Sequence, residues 1–285
     1  LRDRGENIFG WERDMGLLEG KKAVILGAAS KDNMGQVTAR LFAAEGAEVL
    51  VAGRKEGPLS ELASEIGGHY ALCDITDHAQ VHGLAATAAE KMGRVDAAIN
   101  CTGWGLLANL LETTQEQLDQ ICALQFKGVH HFLQAFVQQM KDQDPQGGSL
   151  ISLSSATTKA LINNHAAYIG TKTAGEAMIR CVANDFGQYG IKANTVSPAF
   201  TESPMTSDSF QVPGLVDAFM PKYPLGRLNT SEDVAEACAW LCSDRAFVTG
   251  QNIQPNGGLT LRGNPQAVDI EAAVGAAMAK MQQDG

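Results

Sequence analysis

Short apolar runs alternate with helical patterns along almost the whole chain, and this alternation constrains the fold more than any other feature. Seven runs have the length and composition of buried strands: 21–27, 48–54, 69–73, 95–100, 149–154, 191–197 and 252–254. Helical patterns fill the intervals, most clearly at 36–45, 114–141, 165–189 and 231–243. Strands that alternate with helices form a parallel sheet with helices on both faces. The sequence therefore predicts an α/β fold with a doubly wound, Rossmann-type parallel sheet of about seven strands.

No linker, repeat or low-complexity segment divides the chain. We therefore predict an N-terminal arm at 1–19, a single Rossmann-type dinucleotide-binding and catalytic domain at 20–262, and a C-terminal extension at 263–285. The arm is polar and lacks strong periodicity, whereas the extension has a helical pattern at 267–281. We expect the arm to pack on the body of the protein or on a neighbouring subunit, and the extension to make subunit contacts.

Composition narrows the classes of function. A net charge of −10 disfavours nucleic acid and anionic membrane surfaces as partners. No run approaches the roughly 20 apolar residues of a membrane span, and no secretory signal pattern occurs. The six cysteines lie singly in apolar patterns, and no grouping of histidine, cysteine or carboxylate has metal-ligand spacing. We expect a cytoplasmic protein with no metal ion and no nucleic-acid or membrane partner.

A glycine-bearing loop, Gly27 to Gly35, joins the first strand to the first helix. Phosphate binding needs a tight turn, a close backbone approach and free N–H groups at a helix start. The two glycines can form the ends of such a turn, and Ser30 and Asn33 can cap the helix or contact phosphate. The strand, loop, helix and next strand together span roughly 30 residues, which is typical of the nucleotide-binding half of a doubly wound sheet.

The residue after the second strand selects the cofactor. An acidic side chain at this position binds a ribose 2′-hydroxyl, but the chain has Arg54. An arginine pairs with a 2′-phosphate and does not repel it. Lys31 is a second candidate for this pairing, and the alternative is a solvated pair of Arg54 and Lys55. We predict that NADP(H) is preferred, with NAD(H) as the second choice.

Tyr168 and Lys172 lie one helical turn apart and therefore share one face of a helix. Ser155 lies where the fifth strand ends, which is the usual place for chemistry in an open parallel sheet. The pKa of a free tyrosine is about 10, and an ammonium group nearby lowers it. A hydroxyl aimed at the same point can polarise a carbonyl oxygen. These residues predict proton transfer for a carbonyl/alcohol pair; the alternative is a surface tyrosine and lysine on an amphipathic helix.

Further motifs occur in order and complete a resemblance. They are Asp74-Ile75, Asn100-Cys-Thr-Gly103, Asn194–Ala199, Pro224–Leu228 with Glu232–Ala235, and Thr249–Gln251 with Gly257-Gly258. With the residues above, they make the chain similar to classical members of the short-chain dehydrogenase/reductase (SDR) family from about 18 to 261. The resemblance implies that Tyr168 transfers the proton, that Lys172 binds the nicotinamide ribose and lowers the tyrosine pKa, and that Ser155 holds the substrate oxygen.

The resemblance also implies a proton relay and a set of cofactor contacts. Gln125 takes the place of the family's relay asparagine and completes a catalytic set with Ser155, Tyr168 and Lys172. The backbone near Thr201 would hold the nicotinamide carboxamide, and Ser203 replaces the family's threonine. The implied cofactor-binding residues are Gly27, Ser30, Lys31, Asn33, Met34, Gly35, Arg54, Asp74, Ile75, Asn100, Thr102, Gly103, Tyr168, Lys172, Pro198, Ala199, Thr201 and Ser203.

Two departures from the family pattern bear on function. Ala199 stands where the family has glycine, which trims the space beside the nicotinamide. The loop from Gly27 to Gly35 is longer than usual and looks like that of bacterial enoyl-acyl-carrier-protein reductases. Those enzymes place their lysine seven residues after the tyrosine, where this chain has Gly175, while Lys172 fits the spacing of ketone reductases. Carbon–carbon double-bond reduction is therefore a minor alternative.

The resemblance implies an NADP(H)-dependent oxidoreductase that interconverts a ketone and a secondary alcohol by hydride transfer, with Tyr168 as general acid and base. The segment 200–222 lies where the family has a mobile lid, and its apolar side chains favour an uncharged, lipophilic small molecule. We expect a homo-oligomer, either a tetramer or a dimer. The alternatives are a 3-oxoacyl-thioester reductase acting on acyl-carrier-protein or CoA substrates, and a catalytically inactive NADP(H)-binding sensor or regulatory protein.

Overall fold

A computed structural model describes residues 16–284, and in this part of the chain seven parallel strands form one sheet. The strands are β1 (Lys22–Leu26), β2 (Glu48–Gly53), β3 (His69–Leu72), β4 (Ala97–Asn100), β5 (Gly148–Leu153), β6 (Ile191–Val196) and β7 (Asn252–Ile253). Their order across the sheet is β3-β2-β1-β4-β5-β6-β7. Each predicted apolar run forms a strand, and the predicted fold class is confirmed.

Helices cover both faces of this sheet. They are α1 (Met34–Ala44), α2 (Glu56–Ile66), α3 (His78–Met92), α4 (Gln115–Cys122), α5 (Gly128–Asp142), α6 (Ala166–Phe186), α7 (Ser207–Phe210), α8 (Leu215–Phe219), α9 (Ser231–Cys242), α10 (Leu259–Arg262) and α11 (Ala267–Asp284). The helical pattern predicted over 114–141 is confirmed, and a π-helical turn at Ala123–Lys127 joins α4 to α5 without a break. That turn carries Gln125.

Alternate residues of the central strands pack into two different cores. On β1, Val24 and Leu26 face a cluster that includes residues of α3, α5 and α6. Ala23 and Ile25 face the opposite cluster, built with α1, α2 and α9. Strands buried on both faces need apolar side chains at successive positions, which explains the continuous apolar runs in the sequence.

The connectivity reverses direction beside β1. The chain passes outward from β1 to β2 and β3, and then returns to the other side of β1 to form β4 and β5. In such sheets, the loops after the two diverging strands leave a crevice at the carboxyl edge. The loops that follow β1 to β6, which carry most of the predicted site residues, all begin at this edge.

Residues 16–19 of the predicted arm and the described residues of the predicted extension lie outside this sheet. The predicted N-terminal arm, 1–19, lies largely outside the described residues, although its Leu18 is fully buried in the core. The predicted extension forms α11, which packs on α8. The division into arm, domain and extension remains a prediction. Within residues 16–284, no helix has the length and apolar character required to cross a membrane.

Candidate active site

The loop after β1 approaches its neighbours so closely that only glycine fits at two positions. Gly27 has a φ of +103°, and a Cβ there would lie 2.9 Å from the backbone carbon of Cys101. A Cβ on Gly35 would lie 2.7 Å from the Gly27 carbonyl oxygen. Asn33 fixes the turn, because its Oδ1 accepts from Gln36 N at 2.9 Å and its Nδ2 donates to Gly27 O at 2.8 Å. The result is a tight backbone cradle at the N-terminus of α1, which fits a dinucleotide pyrophosphate.

A cleft of about 460 Å³ extends along the carboxyl edge from this cradle. Predicted site residues that line it are Gly27, Ser30, Asn33, Met34, Gly35, Arg54, Asp74, Ile75, Thr102, Gly103, Tyr168, Lys172, Pro198 and Ser203. A larger cavity, of about 740 Å³, lies between α1 and α9, and none of the predicted site residues lines it. The smaller cleft is the candidate site because the convergent polar groups are there.

Six predicted residues do not line the cleft: Lys31, Gln125, Ser155, Asn100, Ala199 and Thr201. Lys31 is solvent-exposed beyond it. Asn100 shapes the adjacent loop, because its Oδ1 accepts from both Thr102 N and Thr102 Oγ1. Ala199 N donates to Asn229 Oδ1, and buried Thr201 donates to Ala199 O. Through these contacts Asn100, Ala199 and Thr201 support the loops beside the cleft. A direct role of Thr201 in holding a carboxamide stays a prediction.

Tyr168, Lys172 and Ser155 meet where β5 ends. Lys172 is buried, and its Nζ donates to Leu153 O at 2.8 Å and lies 5.9 Å from the centre of the Tyr168 ring. The Tyr168 phenol lies close enough to the Ser155 side chain for the serine to lower its pKa. Ser155 Oγ in turn accepts from Thr157 Oγ1 at 2.9 Å. Tyr168 and Lys172 thus line one end of the cleft, and the buried Ser155 side chain lies beside the phenol.

Burial dominates the electrostatics of this group. Burial lowers the pKa of Lys172 to about 8. Tyr168 keeps some surface along the cleft, yet enough protein surrounds it that burial raises its pKa above the ordinary value, and the hydrogen bond from Ser155 offsets this only in part. The expected lowering of the tyrosine pKa is therefore wrong for this arrangement: burial raises it, and Lys172 is not among the groups that shift it.

Gln125 lies on the π-helical turn and connects it to the loop after β4 and to α6. It is buried, its Oε1 accepts from Trp104 N at 2.8 Å, and its Nε2 donates to Thr171 Oγ1 at 2.9 Å. Both ends of the amide are therefore used within the protein. This arrangement holds the loop after β4 against α6, and the predicted catalytic role of the Gln125 side chain remains untested.

Arg54 stands at the opposite end of the cleft. Its side chain is 76% exposed, and its Nη1 lies 3.8 Å from Asp74 Oδ2. β2 ends in Gly53, directly before Arg54. A Cβ on Gly53 would lie 2.6 Å from Ala29 Cβ in the loop after β1. The exposed guanidinium is free to turn toward an anionic group, because an ion pair this long and exposed is weak.

Two features of the site were missed or underused by sequence reasoning. Glu176, one turn beyond Lys172, is 2% exposed and bonds to Ser154 Oγ at 2.8 Å. Met205 reaches across from the segment after β6, and its Sδ lies 3.4 Å from the position of a Cβ on Gly105. The spacing of four residues could have indicated Glu176, whereas the position of Met205 depends on the path of a loop.

Exposed apolar side chains occur in the loops that follow β4, β5 and β6. Leu107 and Leu161 are 67% and 65% exposed, and Met205 is 57% exposed. The two leucine loops are tied together by the bond from Ala108 N to Asn164 O. Among residues 16–284, no cluster of three or more histidine, cysteine or carboxylate side chains is placed to hold a metal ion.

Comparison with known proteins gives consistent matches. A family model described as "Enoyl-(Acyl carrier protein) reductase" matches residues 27–260. The chain is 30% identical to dehydrogenase/reductase SDR family member 6 of Rattus norvegicus, over 87% of this chain and 100% of that protein.

Solved structures agree. A gluconate 5-dehydrogenase from Burkholderia cenocepacia, in complex with NADP and tartrate, aligns with a TM-score of 0.81 at 25% identity, covering 86% of this chain and 96% of the other. A 3-ketoacyl-(acyl-carrier-protein) reductase from Brucella melitensis, complexed with NADH, aligns with a TM-score of 0.77 at 27% identity, covering 85% and 99%.

Proposed function

The chain belongs to the short-chain dehydrogenase/reductase family and is an oxidoreductase, and we propose that it interconverts a ketone and a secondary alcohol with NADP(H) as the preferred cofactor. The observation that carries the proposal is the convergence of Tyr168, Lys172 and Ser155 at one end of a cleft whose other end is a glycine cradle. A proton-transfer group and a dinucleotide-sized groove are the two parts that such a reaction requires.

Different residues of the cleft would bind different parts of the cofactor. The cradle of Gly27 and Gly35 at the start of α1 would hold the pyrophosphate, and Asp74 and Ile75 would flank the adenine. Lys172 would bind the nicotinamide ribose. When bound, the nicotinamide supplies or accepts the hydride. Arg54 favours NADP(H), because a guanidinium pairs strongly with a phosphate monoester.

Tyr168 would act as the general acid in ketone reduction. Because its pKa is raised, the phenol keeps its proton near neutral pH and can pass it to a carbonyl oxygen as the hydride arrives. Ser155 would hold that oxygen and stabilise its developing charge. In the reverse direction the phenol must first lose its proton, so alcohol oxidation is expected to need a higher pH than ketone reduction.

The substrate is proposed to be uncharged and lipophilic. Met205 and Trp104 line the cleft, and Met205 is 57% exposed. Burial of such surfaces against a substrate contributes roughly 25 cal/mol per Å². Carbon–carbon double-bond reduction is disfavoured, since Lys172 follows Tyr168 by four residues and position 175 is glycine.

A 3-oxoacyl thioester is the second candidate substrate, because the Brucella melitensis relative carries that activity in its name and matches nearly its full length. The acidic net charge of the chain counts against docking of an acidic carrier protein.

Assembly and location complete the proposal. Trp240, Phe247 and Leu261 are exposed large apolar side chains, which contact with a second copy of the chain could cover. We propose a homo-oligomer, either a tetramer or a dimer, in the cytoplasm. Light scattering on the purified protein tests the first point and cell fractionation tests the second.

Titration of the purified protein with NADPH and with NADH, followed by nicotinamide fluorescence, tests the cofactor. A panel of lipophilic ketones, a charged ketone and an acetoacetyl thioester then tests the substrate class. Tyr168→Phe should bind NADPH as the wild type does while losing ketone reduction by about 1,000-fold or more, since the general acid is removed. Preferred NADH binding would overturn the cofactor assignment. Cofactor binding without turnover on any substrate would favour a sensor or regulatory protein.

A further inference from the structure

Glu176 is a buried carboxylate that the proposed chemistry does not use. It lies on α6 at four-residue spacing after Tyr168 and Lys172, so the three side chains share one face of that helix. Its side chain is 2% exposed. A buried charge is costly unless donors surround it, so its partners indicate why it is there.

All partners of Glu176 are donors, and they come from both sides of Ser155. Oε1 accepts from Ser154 Oγ at 2.8 Å and from Thr158 Oγ1 at 2.7 Å. Oε1 also accepts from Asn252 Nδ2 of β7 at 2.6 Å, and Oε2 accepts from Lys159 Nζ at 3.0 Å. One carboxylate thus joins α6 to the end of β5, to the turn after it and to β7.

Thr158 extends this connection to Ser155. Its hydroxyl lies 2.7 Å from Glu176 Oε1 and 2.9 Å from the Ser155 carbonyl oxygen, so its one proton is shared between the two. Ser154, on the other side, precedes Ser155 directly. Glu176 therefore holds the residue before Ser155 and, through Thr158, the backbone of Ser155 itself.

We propose that Glu176 is a positioning residue that fixes the turn carrying Ser155 to the helix carrying Tyr168, and so sets the Ser155–Tyr168 geometry. The inference rests on the proposed ketone/alcohol function. Hydroxyl and phenol come from different elements, and each must reach the same substrate oxygen. A displacement of about 1 Å between such groups costs about 100-fold in rate. The cofactor cradle at Gly27 lies on other elements and is independent of this anchor.

Three variants test the proposal. Glu176→Leu removes every acceptor and should lower kcat about 100-fold, while the Kd for NADPH stays within about threefold of wild type. Glu176→Gln keeps one acceptor oxygen and should recover most of the loss. Lys159→Met is the matched control, because it removes the Oε2 partner but leaves the three bonds at Oε1, and its kcat should stay within about threefold.

Hydrogen–deuterium exchange provides a readout without turnover. In Glu176→Leu, the peptide covering 152–162 should exchange faster than in wild type, while the peptide covering α1 should not change. If Glu176→Leu does not fold, Thr158→Val replaces it, because this substitution removes only the shared hydroxyl and should lower kcat about tenfold with NADPH binding retained.

The outcomes separate the inference from the proposed function. A wild-type protein that turns over no substrate refutes the function itself. A wild type that turns over, with Glu176→Leu or Thr158→Val at near wild-type kcat and unchanged exchange at 152–162, refutes the positioning role. Equal losses in kcat and NADPH binding would also refute it, because they would indicate general damage to the fold.

Discussion

The burial of Lys172, a residue of the proposed catalytic group, should destabilise the folded protein. Burial lowers its pKa from 10.5 to about 8. Between these two values the unfolded chain binds a proton that the folded protein does not, so stability rises with pH through this window. Below pH 8 both states are protonated and the full penalty remains. It amounts to about 3 kcal/mol at pH 7, and about 2 kcal/mol of it is relieved by pH 9.5.

Substitution of Lys172 by methionine isolates the pH-dependent contribution of the buried ammonium to stability. The variant keeps a flexible apolar stem but has no charge to desolvate, and it loses the bond to Leu153 O at every pH alike. The free energy of unfolding of wild type minus that of Lys172→Met should therefore increase by about 2 kcal/mol between pH 7 and pH 9.5. Urea denaturation of the cofactor-free proteins at several pH values measures it.

Lys91→Met is the control. It removes a lysine from an exposed position of α3 and measures the effect on stability of losing one such side chain elsewhere. A wild-type minus Lys172→Met difference that stays constant from pH 7 to pH 9.5 would refute the reasoning. So would a difference that decreases with pH, because it would mean that the folded protein favours the ammonium form.

Two further predictions concern the C-terminal helix and the cofactor. Gly214 has a φ of +80°, and a Cβ there would lie 2.4 Å from Ala273 O of α11, whereas Gly93 has a φ of +82° and open space. Alanine at either position should cost about 1–2 kcal/mol from the backbone, and Gly214→Ala should lose about 1 kcal/mol more in urea unfolding because α11 is displaced. Equal losses would contradict this. Arg54→Ala should raise the Kd of NADPH about 10- to 100-fold and leave that of NADH within about threefold. Lys55→Ala is its control in the fluorescence titration, and equal weakening of both cofactors would count against a phosphate contact.

The sequence was sufficient for the sheet because burial on both faces leaves a direct signal. Runs of successive apolar residues can only be satisfied between two layers of helices, and all seven such runs are strands. The four-residue spacing of Tyr168 and Lys172 likewise survives folding, since both lie on α6. These properties are local, or follow from the alternation of local elements, and sequence patterns record them.

Properties that depend on tertiary surroundings were not predictable in the same way. A π-helical turn adds one residue to a helical repeat, and the side-chain pattern around Gln125 does not reveal it. The direction of the Tyr168 pKa depends on how much protein surrounds the phenol, which the spacing from Lys172 does not contain. Glu176 has the right spacing, but a glutamate on a helix is usually solvated, and only its four donors distinguish it.

One face of α6 therefore carries three groups with different relations to stability. Lys172 is buried at a cost, because burial disfavours its ammonium form, whereas Tyr168 is uncharged near neutral pH and its raised pKa costs stability only at high pH. Glu176, four residues on, is surrounded by donors that would be left unpaired without it. Near neutral pH, Lys172→Met should thus be tolerated or stabilising, whereas Glu176→Leu should destabilise the fold. If the two substitutions change the free energy of unfolding in opposite directions, the cost of burying the proton-transfer group is offset by the hydrogen bonds of Glu176 on the same helix.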